Sequence, residues 1–124
     1  MNLNDVFKML TDETRIRLLN ILSENQLCVC EVQAVLDISQ TNASKHLNKL
    51  KAAGLITDEK KSQWSYYFLN DSFWDENQYL YKYLKEQWRT ENSYLNDKKN
   101  LNEYISKNID CTFIKIELPE LKVT

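Results

Sequence analysis

Glycine and proline are almost missing from this chain: among 124 residues there is one of each, Gly54 and Pro119. Both residue types serve tight reversals, so a strand-rich fold with many turns is disfavoured and a mainly helical one is expected. Cysteine is sparse and odd in number, with Cys28, Cys30 and Cys111, which does not make the disulfide framework of a small secreted domain and leaves reduced thiols available as ligands. Histidine occurs once, as His46. Long apolar runs are absent: nothing approaches the roughly 20 residues of a membrane span, and residues 1 to 10 carry no basic stretch followed by an apolar one. A cytoplasmic protein with no membrane partner is expected.

What is present suits one soluble domain. Hydrophobic residues make up 43% and charged residues 27% of the chain, enough for a core and for a solvated surface. The net charge of −2 argues at first against a nucleic-acid partner. Its distribution is uneven, however. Residues 1 to 38 hold three basic and six acidic side chains, residues 39 to 69 five and two, and residues 70 to 124 eight and ten. Only the middle segment is basic.

Apolar spacing predicts the elements. Val6, Phe7 and Leu10 form a short helical stripe, after which Thr11 reads as an N-cap ahead of Asp12 and Glu13. Ile16, Leu19 and Leu22, widened by Leu18 and Ile21, define a second helix with Arg15 and Arg17 outside. Val29, Val32, Val35 and Leu36 follow, then a polar break at Asp37, Ile38 and Ser39, then Ala43, Leu47 and Leu50: helix, tight turn, helix. Gly54 is placed as the stop of the second of these. Leu55 and Ile56 begin a hairpin in which Trp64, Tyr66 and Phe68 alternate with Ser65, Tyr67 and Leu69. From an N-cap at Ser72, one long helix is expected to carry Trp74, Tyr81, Trp88 and Leu95 at intervals of seven, a seam that asks for a partner helix and hence a dimer. Leu101, Tyr104 and Ile105 suggest a further short helix, and residues 111 to 118 a strand or an arm.

Two helices joined by a three-residue turn and followed by a two-stranded ribbon with lysines at its tip read as a dimeric winged helix-turn-helix, mainly α with a small β-hairpin. Residues 1 to 92 form the DNA-binding and dimerisation domain in this reading, and residues 93 to 124 a helix and tail extending it. Set against buried Ala43, Leu47 and Leu50, the second helix offers Gln40, Thr41, Asn42, Ser44 and Lys45 to base edges and phosphates, while Lys49 and Lys51 add charge. Lys60 and Lys61 in the wing reach phosphates or a minor groove of double-stranded DNA.

Four motifs in order carry a family resemblance: FKMLTDETRIR at 7 to 17, LCVCEV at 27 to 32, ISQTNASKHLNKLKAAGLI at 38 to 56 and QWSYYFL at 63 to 69. Together they resemble the ArsR/SmtB repressors, metal-sensing winged-helix dimers of bacteria. The resemblance implies a homodimer on operator DNA that lets go when a metal or metalloid binds. It also implies DNA contact at Ser39, Gln40, Ser44 and His46. The cysteine pair resembles the arsenic- and soft-metal-sensing variants, which implies Cys28 and Cys30 as ligands of arsenite or antimonite, with no organic cofactor. Many such sensors have a third cysteine three residues after the second, where this chain has Gln33; a third sulfur would then come from Cys111 or from an exogenous thiol, or be absent, leaving a more labile two-thiolate site. Zinc or nickel sites on the dimer helix need histidines, and none follows His46.

Helix geometry puts a condition on the pair. Residues two apart in a regular helix point about 200° away from each other, so Cys28 would share a side with Val32 and Val35 and Cys30 with Gln33 and Ala34. Chelation requires Cys28 at or before the helix start, or an unwound first turn. Two other readings remain at this point. The same thiols suit a redox- or sulfur-responsive repressor. A small thiol enzyme or a purely structural dimer is the third, although no second histidine or glycine-rich loop is there to activate or orient a substrate; the protein is expected not to be an enzyme.

Overall fold

The computed structural model describes residues 2 to 107. In chain order it has α1 (Leu3–Met9), α2 (Glu13–Leu22), α3 (Val29–Leu36), α4 (Gln40–Ala52), β1 (Ile56–Lys61), β2 (Trp64–Leu69), α5 (Asp71–Glu76), α6 (Gln78–Thr90) and α7 (Asn92–Ser106). The expected tail at residues 111 to 118, and Cys111 with it, lies outside the described residues.

The core is built where the apolar stripes of α2, α3 and α4 meet. Leu18, Leu19 and Ile21 of α2, Val32 of α3, and Ala43, Leu47 and Leu50 of α4 are all fully buried, and Leu101 of α7 closes the cluster from the other side. The α3–α4 turn is the expected three residues. Asp37 adopts a left-handed conformation (φ 56°, ψ 52°), Ile38 N–H returns to the Gln33 carbonyl at 3.4 Å, and the Ser39 hydroxyl accepts from Asn42 N–H at 3.1 Å to start α4. At the far end Gly54 has φ 85°, with Gly54 N–H on the Lys51 carbonyl and Leu55 N–H on the Leu50 carbonyl, both at 3.0 Å. This paired closure of a helix needs a left-handed residue after the cap, which glycine supplies without steric cost.

The wing is antiparallel, with Ile56 opposite Leu69 and Lys61 opposite Trp64. Its tip turns through Ser62, at φ 60°. Tyr67 and Leu69 face the core, and the other face, Trp64, Tyr66 and Phe68, is half-buried. Leu27, just before the cysteine pair, bonds in both directions to Tyr67 (N–H to O 3.1 Å and 2.8 Å), adding a one-residue third strand.

Three expectations are corrected. The N-cap of α2 is Asp12, whose carboxylate accepts from Arg15 N–H at 3.1 Å, and not Thr11, whose hydroxyl is turned back to the Lys8 carbonyl. Arg15 and Arg17 are not outside: Arg15 is buried, and Arg17 forms an ion pair with buried Asp97 of α7. The long helix does not start from an N-cap at Ser72, which lies inside α5 behind the N-cap Asn70 and donates its hydroxyl to Asn70 Oδ1 at 3.0 Å, and it is three helices, because Asn77 (φ −129°, ψ 48°) and Glu91 (φ −90°, ψ 136°) leave the helical region. Trp74 and Trp88 therefore fill this chain's own core while Leu95 lies exposed on a different helix. The spacing of seven counted across two helix breaks, at Asn77 and Glu91, so it does not describe one seam.

Candidate functional site

The α4 face away from the core carries what the sequence placed there. Ser39, Gln40, Thr41, Asn42, Lys45 and Lys49 are exposed and Ser44 is half-buried. Lys60 and Lys61 are exposed at the end of β1, and Lys61 Nζ donates to Gln26 Oε1 at 2.9 Å and lies 5.5 Å from the Tyr66 ring centre. Lys51 is turned toward the wing instead, pairing with Asp58 of β1 at 2.9 Å. This pair ties the helix end to the wing, and the lysines left facing solvent are those that suit phosphate contact.

His46 stands apart from these residues. It is buried, and its Nδ1 lies 3.2 Å from an Arg15 guanidinium nitrogen. Arginine only donates, so Nδ1 accepts and the imidazole is neutral with its proton on Nε2. The ring locks α4 onto α2, and Arg15 also donates to the Met9 and Lys8 carbonyls at 3.0 Å each, clamping the end of α1. The sequence could not separate these roles, since serine, lysine and histidine in one motif look alike until burial is known.

Burial holds the His46 pKa below its ordinary 6.5; the Asp12 charge opposes the shift, while Arg15, Lys45 and Lys49 reinforce it. The unfolded chain then takes up its proton first as pH falls, so the contribution of this site is intact above pH 6.5 and is lost progressively below it. Urea unfolding of the wild type should accordingly lose stability between about pH 7 and 5 more steeply than that of His46→Gln, whose amide oxygen can still accept from Arg15. Parallel pH profiles would remove the imidazole from the account.

The cysteine pair meets the chelation condition without unwinding. Cys28 is the N-cap of α3, with extended backbone (φ −88°, ψ 173°), and Cys30 lies in the first turn. The two sulfurs are 3.7 Å apart. Two thiolates held tetrahedrally at about 2.3 Å from a thiophilic ion are separated by about 3.8 Å, so the pair has the bite of a chelate. Glu31 holds the geometry: its carboxylate accepts from Cys28 N–H at 2.9 Å, completing a capping box in which cysteine stands where serine or threonine is usual. That Cys-x-x-Glu spacing was the signal in the sequence that could have placed Cys28 at the cap. Cys28 is buried and Cys30 half-buried. Among the described residues no three histidine, cysteine or acidic side chains converge as a complete metal site.

A helix pair with an exposed polar second helix, followed by a lysine-tipped ribbon, defines a winged helix-turn-helix protein. The homodimeric winged helix-turn-helix DNA-binding domain Mb0332 of Mycobacterium bovis has the same fold, with a TM-score of 0.59 at 21% identity over 68% of this chain and 78% of that one. A profile of bacterial regulatory proteins of the arsR family matches residues 12–58. The arsenical resistance operon repressor of Escherichia coli K12 is 39% identical over 87 residues, 69% of this chain and 72% of that protein. The arsenic resistance transcriptional regulator ArsR1 of Pseudomonas putida is 48% identical over 66 residues, 52% of each chain. This chain belongs to the arsR family. It spans about half the length of the two Pseudomonas putida relatives it matches.

Proposed function

We propose that the protein is a homodimeric transcriptional repressor that releases its operator when arsenite, antimonite or another thiophilic metal binds Cys28 and Cys30. The observation that carries this reading is the position of the pair: a chelating bite at the start of α3, in a segment bonded to both DNA-facing elements. Leu27 is hydrogen-bonded into the wing, Gln26 holds Lys61 of the wing tip, and α3 leads through Asp37 into α4. A bound metalloid supplies strong bonds to the thiolates. The protein's part is to convert closure of the pair into displacement of a helix start whose neighbours are the wing and the recognition helix. Cys111 is the candidate for a third sulfur.

On DNA, Gln40, Thr41, Asn42, Ser44 and Lys45 would meet base edges and nearby phosphates, and Ser39, Lys49, Lys60 and Lys61 the backbone. His46 would act by holding α4 in place. Leu3 and Phe7 of α1 and Tyr79 and Tyr83 of α6 leave an exposed apolar surface, beside a groove of about 520 Å³ between α1, α5 and α6; this favours a second copy of the chain as its cover.

Mobility shift on the DNA upstream of the protein's own gene tests the reading. Binding should fall with salt, as neutralised phosphates require, and arsenite should release the complex. Release by peroxide or a persulfide with no response to arsenite would assign the thiols to redox sensing instead. No binding at low salt would overturn the repressor itself.

A further inference from the structure

We propose that Asn48 is a specificity-determining residue of α4, reading an adenine in the major groove one turn beyond Lys45. The inference rests on α4 being the helix that enters the groove, and adds to its base-reading set a residue outside the polar cluster at the helix start.

The rotation of α4 about its own axis decides which side chains lead. Ala43, His46, Leu47 and Leu50 form its buried face. Both flanks of that face are tied to other elements: His46 Nδ1 lies 3.2 Å from the Arg15 guanidinium of α2, and Lys51 pairs with Asp58 of β1 at 2.9 Å. Held on two sides, the helix is kept from rolling, and the line it presents outward is the one opposite the buried face. At about 100° per residue that line runs through Thr41, Lys45, Asn48 and Ala52, each within about 30° of the direction away from the core, while Ser44 and Lys49 stand about 70° to either side. Thr41, Lys45, Asn48 and Ala52 are all exposed.

The chemistry along that line says what each position reads. Spacing of i, i+4 and i+7 is that of a helix lying in the groove, and the seven residues from Thr41 to Asn48 rise about 10.5 Å, close to three base-pair steps. Thr41 brings a methyl that suits the thymine methyl, and Lys45 a cation that suits guanine O6 and N7 or a phosphate. Asn48 brings a carbonyl oxygen and an NH2 group side by side, the complement of the N6 donor and N7 acceptor of adenine. Its amide is also uncommitted. Asn20, Asn70 and Asn77 use theirs on backbone carbonyls of the fold, whereas the Asn48 side chain has no hydrogen-bond partner among the described residues.

The full-length wild type and Asn48→Ala are each used to select bound duplexes from a random-sequence library of double-stranded DNA. Alanine at an exposed helical position favours the helix, so the fold should survive, with circular dichroism as the check. An adenine fixed in each half-site of the wild-type motif should become free to vary in the Asn48→Ala motif. Asn48→Ala should bind the wild-type consensus about 5–150-fold more weakly, the range for one bidentate base contact, and unselected duplex within about twofold of the wild type. The same motif from both proteins would overturn the proposal, and so would an equal loss on consensus and unselected duplex, which marks a phosphate contact. A folded wild type that selects no sequence would overturn the reading of α4 as the recognition helix itself. Arsenite enters none of these measurements.

Discussion

Arg17→Met should destabilise the folded protein by about 2–4 kcal/mol, somewhat under the usual consequence of removing one partner of a fully buried ion pair, because Asp97 is buried but the Arg17 side chain is 25% exposed. Asp97 has almost no contact with solvent (side chain 2% exposed), and its carboxylate is held by Arg17 at 2.8 and 2.9 Å in a two-pronged contact. The pairing raises the Arg17 pKa further, chiefly through the hydrogen bond to Asp97, so the guanidinium stays charged at any working pH. Methionine fills much of the arginine stem but leaves a carboxylate buried without its counter-charge. Asp97→Asn should cost less, because the amide oxygen can still accept one bond, and Arg17→Met/Asp97→Leu should recover much of the loss by replacing the pair with apolar contact. Urea unfolding at fixed protein concentration measures all three, and the double-mutant cycle isolates the pair. A single-variant loss of under about 1 kcal/mol would mean that α7 is held by Leu101 and its apolar neighbours and not by the ion pair.

The helices that position the DNA-facing side were legible because their apolar residues recur with helical spacing and their ends carry local chemistry: Ser39 before α4, Gly54 after it. Local signals also gave the wing. What escaped the sequence was long-range pairing. Arg17 and Asp97 are 80 positions apart, and Arg15 and His46 31; nothing near any of these residues announces the partner, so two arginines in a polar position of the stripe read as surface. The division of the expected long helix escaped for another reason. Asn77 and Glu91 are not strong breakers; the break at Asn77 lets Trp74 and Trp88 enter the same core from separate helices, and the break at Glu91 lets Tyr94 and Leu101 of α7 do so. The cysteine pair was half legible: the spacing posed the condition, and only the capping box at Cys28 and Glu31 met it.

The Cys28→Ser/Cys30→Ser protein is expected to bind operator within about twofold of the wild type and to lose the response to arsenite, whereas arsenite should weaken wild-type binding about 5–150-fold, the span of ordinary allosteric couplings. Serine is nearly the size of cysteine and is a preferred N-cap, so at position 28 it can serve the Glu31 N–H while Glu31 keeps the Cys28 backbone contact. The fold and the wing should survive. What serine lacks is a soft, polarisable thiolate, and a hard hydroxyl does not replace it toward a thiophilic ligand. Each single serine variant should be almost as unresponsive as the double, because one sulfur of a chelate holds its ligand far more weakly than two at a matched distance. Cys111→Ser separates a two-sulfur from a three-sulfur site: full response leaves the pair sufficient, and a response weakened about tenfold or more brings Cys111 into the set. Fluorescence anisotropy of a labelled operator duplex, titrated with arsenite, reads every variant, with circular dichroism as the check on folding. A double-serine protein that still let go of its operator with the wild-type arsenite dependence would sink the assignment of Cys28 and Cys30 as the sensing thiols, and would leave their 3.7 Å contact as a feature of helix capping alone.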